Sequence, residues 1–253
     1  MGVTSTKNGR SISITWERPP LNVFDLKLLR ELDQALTICA QDGEADVIVF
    51  QGAGARAFSA GVDIRDHSRE KVPEMLDAVH GVIRKLLALP QVTVAAVRGL
   101  CLGGGCEVAS SCDLIIASEE SSFATPEILV GCYPPVALAR FSQLIGYHRA
   151  AEMILTGRRF SAREAQTFGL INRVIDAEQF AAGLSALLDE LSSKSGRVLR
   201  LTLKGLREMS LGGFDQALKR SEEIYGRELL QTADVEEGVR AFLEKRAPIW
   251  RHR

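Results

Sequence analysis

Residues 92–111 read VTVAAVRGLCLGGGCEVASS, and this stretch decides the fold class. Its first part, Val92–Val97, is a short apolar run rich in valine, as expected for a strand covered on both faces. A glycine turn, Gly103–Gly105, comes next, and Cys106–Ser111 has the composition of a short helix. A strand, a turn and a helix in this order are typical of α/β proteins, where such turns lie at the carboxyl edge of a parallel sheet.

The neighbouring sequence repeats this alternation. Val47–Phe50 and Leu114–Ala117 are apolar runs of the same kind, and Ser11–Trp16 alternates polar and apolar residues, as a strand with one wet face does. Residues 25–40 have leucines at helical spacing. A second helix is indicated between the first two apolar runs by the apolar residues Met75, Leu76, Val79, Val82, Ile83, Leu86 and Leu87. The chain is therefore predicted to be α/β.

The second half of the chain is predicted to be mostly helical. One further strand is expected at Ile171–Ile175, after a helix that begins with a Ser161 and Glu164 capping box and ends at Gly169. Asp234 and Glu237 suggest a second cap before a last short helix. Apolar faces recur from residue 176 onward, at Leu203, Leu206, Met209, Phe214, Ala217, Leu218, Ser221 and Tyr225. Because no strands remain for these helices to cover, we expect them to pack on each other or on another chain.

The composition excludes several classes of protein. The chain has 253 residues, of which 46% are hydrophobic and 25% charged, as in ordinary globular proteins. Lys and Arg number 31 against 32 Asp and Glu, so no basic excess favours a nucleic acid or an anionic membrane as partner. The five cysteines form no CxxC pair and are expected to be buried thiols. The N-terminus lacks the apolar region of a secretory signal, and we expect a cytoplasmic protein without membrane association.

Two glycine-bearing turns are candidates for an oxyanion hole, one at Phe58–Asp63 and the other at Gly103–Glu107. Small residues let backbone N–H groups approach a ligand, and two such turns can present two donors to one oxygen. The alternative is that Gly103–Gly105 only permits tight packing of strand and helix. Phosphate-binding GxGxxG and GxxxxGK[ST] patterns do not occur, nor does a GxSxG nucleophile turn.

Glu107 and Glu127 are the acid and base candidates, because each lies among apolar or small residues where a surface carboxylate would be unusual. Each also has a simpler explanation, since a glutamate in the first turn of a helix is favoured by the helix dipole. If both face one pocket, repulsion and desolvation would keep one protonated and the other ionised. The four histidines, His67, His80, His148 and His252, are expected to be solvent-exposed.

Four motifs in order resemble the crotonase superfamily, the enoyl-CoA hydratase/isomerase family, over nearly the whole chain. They are Arg18–Asn22 (RPPLN), Phe58–Ile64 (FSAGVDI), Gly103–Glu107 (GGGCE) and Phe123–Gly131 (FATPEILVG). The resemblance implies a spiral of ββα units over residues 1–195. It also implies a helical region at residues 196–253 that builds a homotrimer or a dimer of trimers.

The resemblance also implies roles for individual residues. The N–H groups of Val62 and Gly104 would bind the thioester oxygen of an acyl-CoA, and Glu107 and Glu127 would be the glutamate pair of a hydratase. The substrate and its coenzyme A would further contact Ala60, Asp63, Ile64 and Arg65. No metal or redox cofactor is implied, because coenzyme A belongs to the substrate.

Because both glutamates are present, the resemblance favours a hydratase. The first alternative is a double-bond isomerase that uses only one glutamate. A non-catalytic binding protein of the same fold is the second.

The segment after Glu127 departs from the common hydratase pattern. Many hydratases have a glycine-rich segment where this chain has Tyr133-Pro134-Pro135. This segment resembles the hydratases of cyclohexa-1,5-diene-1-carbonyl-CoA, so the predicted substrate is either a 2-enoyl-CoA or an alicyclic dienoyl-CoA.

Overall fold

A computed structural model describes residues 1–250 of the chain, and two sheets organise it. The strands are β1 (Gly2–Asn8), β2 (Ser11–Glu17), β3 (Val47–Gly52), β4 (Ala57–Ser59), β5 (Val92–Val97), β6 (Leu100–Leu102), β7 (Leu114–Ser118), β8 (Ser122–Ala124), β9 (Phe160–Ser161) and β10 (Arg173–Ile175). The larger sheet has the order β1-β2-β3-β5-β7-β10 and the smaller one β4-β6-β8-β9. The large sheet is parallel except for β1, and the small one is parallel except for β9.

The helices connect the sheets in a repeating pattern. They are α1 (Leu26–Ala40), α2 (Val72–Ala88), α3 (Gly104–Ser111), α4 (Pro135–Ile145), α5 (Tyr147–Thr156), α6 (Ala162–Thr167), α7 (Phe180–Ser192), α8 (Gly196–Ser210), α9 (Phe214–Arg227) and α10 (Ala233–Leu243). Three successive units each give one strand to the large sheet, one to the small sheet and then a helix: β3-β4-α2, β5-β6-α3 and β7-β8-α4. This arrangement confirms the predicted α/β spiral of ββα units.

The central strands β3, β5 and β7 of the large sheet are covered on both faces, as their composition predicts. Alternate residues of β3 enter different parts of the core: Ile48 and Phe50 pack with α1 and α2, whereas Val47 and Val49 pack with Leu203 of α8 and with residues of α7. A strand with both faces buried needs apolar side chains at every position, which explains the unbroken runs.

The expectation that the C-terminal helices have no strands to cover is wrong. Leu203 of α8 lies, together with residues of α7, against the second face of the large sheet, which α1 and α2 do not cover. The apolar face of α9 is also covered within the chain, because Phe214, Leu218 and Tyr225 are buried in the main core, where α9 packs on α4. The boundary at residues 195 and 196 coincides with the start of α8, and its role as a domain limit stays a prediction.

Two helix N-terminal caps were predicted from the sequence, and one of the two predictions is confirmed. The Ser161 and Glu164 capping box is present in full, with each side chain bonded to the backbone N–H of the other residue. The predicted Asp234 cap is wrong, because Thr232 precedes the helix and Asp234 lies within its first turn. Glu237 instead pairs with Arg240 and Arg246. None of the helices within residues 1–250 is long and apolar enough to cross a bilayer.

Candidate active site

The first glycine turn follows β4, a short strand that the sequence analysis did not separate from the turn. The residues after β4 pair with Phe24: its N–H donates to the Gly61 carbonyl at 2.8 Å, and the Asp63 N–H donates to the Phe24 carbonyl at 2.9 Å. In a parallel bridge of this kind the flanking residues make the bonds, so the N–H of the intervening Val62 is left for another acceptor.

The second glycine turn connects β6 to α3. Gly103 has φ of 54° and ψ of −129°, a backbone conformation open to glycine. Its own N–H donates to the Ala124 carbonyl at 2.9 Å, which fixes the turn against β8. Gly104 is the first residue of α3, and N–H groups in the first turn of a helix have no acceptor within the helix. The Gly104 N–H is therefore also available.

The two turns lie side by side. A Cβ atom built on Gly104 would lie 3.8 Å from the Val62 nitrogen, and one built on Gly61 would lie 3.7 Å from the Gly104 nitrogen. The small residues let the two backbones approach until the amides of Val62 and Gly104 are neighbours. An oxygen atom placed between them could accept both hydrogen bonds.

Glu107 lies one turn into α3, and its side chain is buried. Its Oε1 accepts hydrogen bonds from the backbone N–H groups of Val136, at 2.9 Å, and Ala137, at 3.0 Å, in the first turn of α4. Burial raises the pKa of Glu107, and these two donors oppose the rise because they stabilise the anion. The positive end of α4 thus favours an ionised Glu107.

Glu127 belongs to a 3-10 helix, Pro126–Val130, and reaches the second glycine turn. A Cβ atom built on Gly103 would lie only 2.7 Å from its Oε1. Its Oε2 is buried and has no hydrogen-bond partner in the part of the chain that the structure describes. Burial, followed by the nearby Glu107 charge, raises the pKa of Glu127. The two glutamates therefore differ: two backbone donors of α4 stabilise the Glu107 anion, whereas Glu127 has one opposing backbone hydrogen bond and lies beside the Glu107 charge.

Both glutamates and both turns line one cavity of about 320 Å³. The wall away from the glycine turns comes mainly from α2, from residues 133–135 and from α9, and its side chains include Met75, Leu76, Val79, His80, Tyr133, Pro134, Pro135 and Tyr225. Most of this wall is apolar, as suits an acyl group. The segment Tyr133-Pro134-Pro135 therefore forms part of the wall, beside the amides that hold Glu107.

Of the four residues predicted to contact the substrate and its coenzyme A, two line the cavity and two lie beside it. Ala60 and Ile64 line the cavity. Asp63 is buried and accepts from the guanidinium groups of Arg18, at 3.0 Å, and Arg65, at 2.6 Å, which hold the pKa of its carboxyl well below the usual range. Asp63 therefore fixes the backbone after the first turn. Arg65 is 66% exposed, within reach of solvent at the edge of the turn.

The prediction that the histidines are exposed is wrong for two of them. His67 and His80 are buried and line the cavity, whereas His148 is exposed as expected and His252 lies outside the described residues. The helical spacing contained a signal for His80, which follows Leu76 by four residues and precedes Ile83 by three. This spacing places it on the apolar face of α2.

Comparison with known proteins finds relatives along nearly the whole chain. The family model described as enoyl-CoA hydratase/isomerase matches residues 6–253. A cyclohexa-1,5-dienecarbonyl-CoA hydratase of Thauera aromatica is 30% identical over 247 residues, which cover 98% of this chain and 95% of that protein. A probable enoyl-CoA hydratase of Mycobacterium bovis is 33% identical over 243 residues, covering 95% and 94%.

Among solved structures, an enoyl-CoA hydratase from Mycobacterium avium subsp. paratuberculosis superimposes with a TM-score of 0.89. It is 30% identical, and the match covers 99% of this chain and 98% of that one. The ββα spiral and the family model together identify an enzyme of the kind that these relatives represent. The chain belongs to the enoyl-CoA hydratase/isomerase family.

Proposed function

We propose that the protein hydrates the carbon–carbon double bond of a 2-enoyl-CoA thioester. The observation that carries the proposal is the placement of two differently stabilised carboxyl groups in one cavity beside two unused amides. The thioester oxygen accepts from the N–H groups of Val62 and Gly104, so the double bond lies next to the glutamates. Each donor of such a pair contributes about 3–4 kcal/mol to transition-state stabilisation.

The different surroundings of the glutamates assign their roles. Glu107, held by two amide donors, is the carboxylate that takes a proton from water. Glu127 has an unpartnered oxygen within the described chain and lies beside that negative charge, so it is the protonated acid. Water oxygen bonds to Cβ, the π electrons move toward Cα, and Glu127 supplies the proton to Cα. Negative charge that develops on the thioester oxygen is stabilised by the two amides.

Both parts of the site are needed for useful rates. General acid and base groups contribute about 10²–10⁴-fold each in well-oriented sites. The amides stabilise charge only as it develops, which lowers the barrier without holding the substrate more tightly.

The proposal is tested by incubating the protein with straight-chain, branched and alicyclic enoyl-CoA thioesters and following the gain of one water by mass spectrometry. Glu107→Gln and Glu127→Gln should each lose activity by about 10²-fold or more. Glu120→Gln, at an exposed position, is the control and should retain activity. The proposal fails if no thioester gains water, or if the two variants remain as active as the control.

A double-bond isomerase is the second candidate, and one observation favours it. Glu127 reaches the second glycine turn and has a buried carboxyl oxygen without a hydrogen-bond partner within residues 1–250, so it could carry a proton between two carbons. An isomerase of this kind would keep its activity in Glu107→Gln and lose it in Glu127→Gln. The same pair of variants therefore separates the two functions.

The acyl group is proposed to be either a straight chain or an alicyclic diene. The side chains of Tyr133, Pro134 and Pro135 form part of the cavity wall, where many family members have glycine-rich sequence. The relative from Thauera aromatica is named for a cyclic dienoyl thioester, which supports the alicyclic alternative. Relative kcat/KM values for 2-hexenoyl-CoA and cyclohexa-1,5-dienecarbonyl-CoA decide between them.

We also propose a homotrimer or a dimer of trimers. Helix α8 leaves apolar side chains in solvent, among them Val198, Leu201, Leu206 and Met209. Leu201→Lys with Leu206→Lys should lower the mass measured by light scattering, and an unchanged oligomer would place the interface elsewhere. The absence of a metal or redox cofactor, and the cytoplasmic location, stay predictions.

A further inference from the structure

His80 is a buried polar residue in the wall of the cavity that the proposed hydration does not use. Its side chain is 1% exposed and lies on α2 beside the apolar residues Leu76 and Val79. Its Nδ1 lies 2.6 Å from the Glu222 Oε1 of α9. The Nε2 atom is buried and has no hydrogen-bond partner among residues 1–250. Buried polar atoms normally have a partner, so this atom needs an explanation.

The contact with Glu222 fixes which nitrogen carries the proton. Glu222 also accepts from the Arg84 guanidinium at 3.1 Å, and a carboxylate can only accept a hydrogen bond from His80 Nδ1. Burial lowers the pKa of His80, against the smaller opposing effects of Glu222 and Asp77, while the Arg84 charge lowers it further. The neutral ring therefore has its proton on Nδ1 and a lone pair on Nε2.

We propose that Nε2 of His80 accepts a hydrogen bond from a hydroxyl group on the acyl part of the substrate. The substrate class would then be enoyl-CoA thioesters that bear a hydroxyl substituent. The inference rests on the proposed function only in that the cavity binds the acyl part of a coenzyme A thioester. A site that contains a buried acceptor disfavours a ligand that leaves it unpaired, and so selects for the hydroxyl.

Specificity of this kind is measured by binding of saturated thioesters, which cannot be hydrated or isomerised. The series comprises cyclohexanecarbonyl-CoA and hexanoyl-CoA, each with a hydroxyl or a methoxy group at successive positions. At one position the hydroxyl should tighten the Kd, measured by calorimetry, by about tenfold or more over the parent thioester. The methoxy analogue at that position should not, because an ether cannot donate a hydrogen bond.

Two variants test the role of the ring. His80→Phe keeps an aromatic ring without the acceptor, and should abolish the preference while binding the parent thioester within about threefold of the unmodified protein. Glu222→Ala removes the acceptor that fixes the Nδ1 proton. The ring can then present either a lone pair or an N–H at Nε2, so the methoxy and hydroxyl analogues should bind alike. His148→Phe, at an exposed position, should change nothing.

The proposal is overturned if no hydroxyl position tightens binding to the unmodified protein, or if His80→Phe weakens the parent and hydroxylated thioesters equally. Equal binding of hydroxyl and methoxy analogues to the unmodified protein would also overturn it, since the ring would then be a donor. Loss of hydration with intact thioester selectivity would defeat the hydratase proposal alone. Failure to bind any thioester would defeat both.

Discussion

Gly103→Ala is the substitution whose effect follows most directly from the geometry. The Cβ atom would lie 2.7 Å from Oε1 of Glu127, whereas ordinary contacts begin near 3.4 Å. The backbone cannot move away easily, because the Gly103 N–H is bonded to Ala124 and its carbonyl accepts from the Glu107 N–H at 3.0 Å. The end of the Glu127 side chain must therefore shift by about 0.7–1 Å, and displacements of about 1 Å can cost 10²-fold in rate.

The expected result is a fall in kcat of about 10²-fold for hydration of the best enoyl-CoA, with a smaller change in KM, because the amides proposed to bind the thioester stay in place. A residue with a side chain at a φ of 54° is also strained, so unfolding should cost about 1–3 kcal/mol less. Gly226→Ala is the matched control: a Cβ atom there meets nothing within 4 Å, and alanine should stabilise the helix. The reasoning is refuted if folded Gly103→Ala retains kcat within about threefold of the unmodified protein.

Three further outcomes are expected. The value of kcat, measured by steady-state kinetics as a function of pH, should rise as Glu107 loses its proton and fall as Glu127 loses its own. Both changes should lie above the ordinary glutamate pKa of about 4.3, because burial raises the pKa of both side chains. A rise in kcat at the ordinary glutamate pKa would show that the site is solvated. The lowered pKa of Asp63 contributes stability that is present above its unfolded pKa of about 3.9 and is lost as the pH falls toward the folded value. Asp63→Asn should lower the Tm at neutral pH and flatten its acid dependence, and an unchanged melting profile between neutral and acid pH would contradict this. The Trp16 indole N–H donates to the buried Phe58 carbonyl at 2.7 Å, just before the first glycine turn. Trp16→Phe removes this donor and should lower the free energy of unfolding, measured in urea, by about 1–3 kcal/mol. An unchanged free energy of unfolding would mean that the carbonyl finds another partner.

The sequence was sufficient for elements whose signal is local. Strands β3 and β5 lie at apolar runs because both of their faces are covered, and the capping box at Ser161 depends only on residues within one helical turn. The short strands of the small sheet were not predicted. They have two or three residues each, too few for periodicity to distinguish them from turns.

The surface against which the C-terminal helices pack could not be predicted from the sequence either. Whether Leu203 meets a strand or another chain depends on which face of the large sheet the earlier helices leave open. That is a property of the connections between strands, and no local pattern in residues 196–210 contains it.

For the site, the sequence alone indicated the groups available: two glycine turns as oxyanion-hole candidates, and carboxyl groups at Glu107 and Glu127 among apolar neighbours. Tertiary structure decided how those groups differ. The first turn of α4 donates to Glu107 from residues about thirty positions away in sequence, and α9 supplies the carboxylate that orients the ring of His80. Burial and hydrogen bonding depend on which distant segments meet, and these influence the protonation of each group, so the roles proposed for Glu107, Glu127 and His80 could be assigned only from the folded chain.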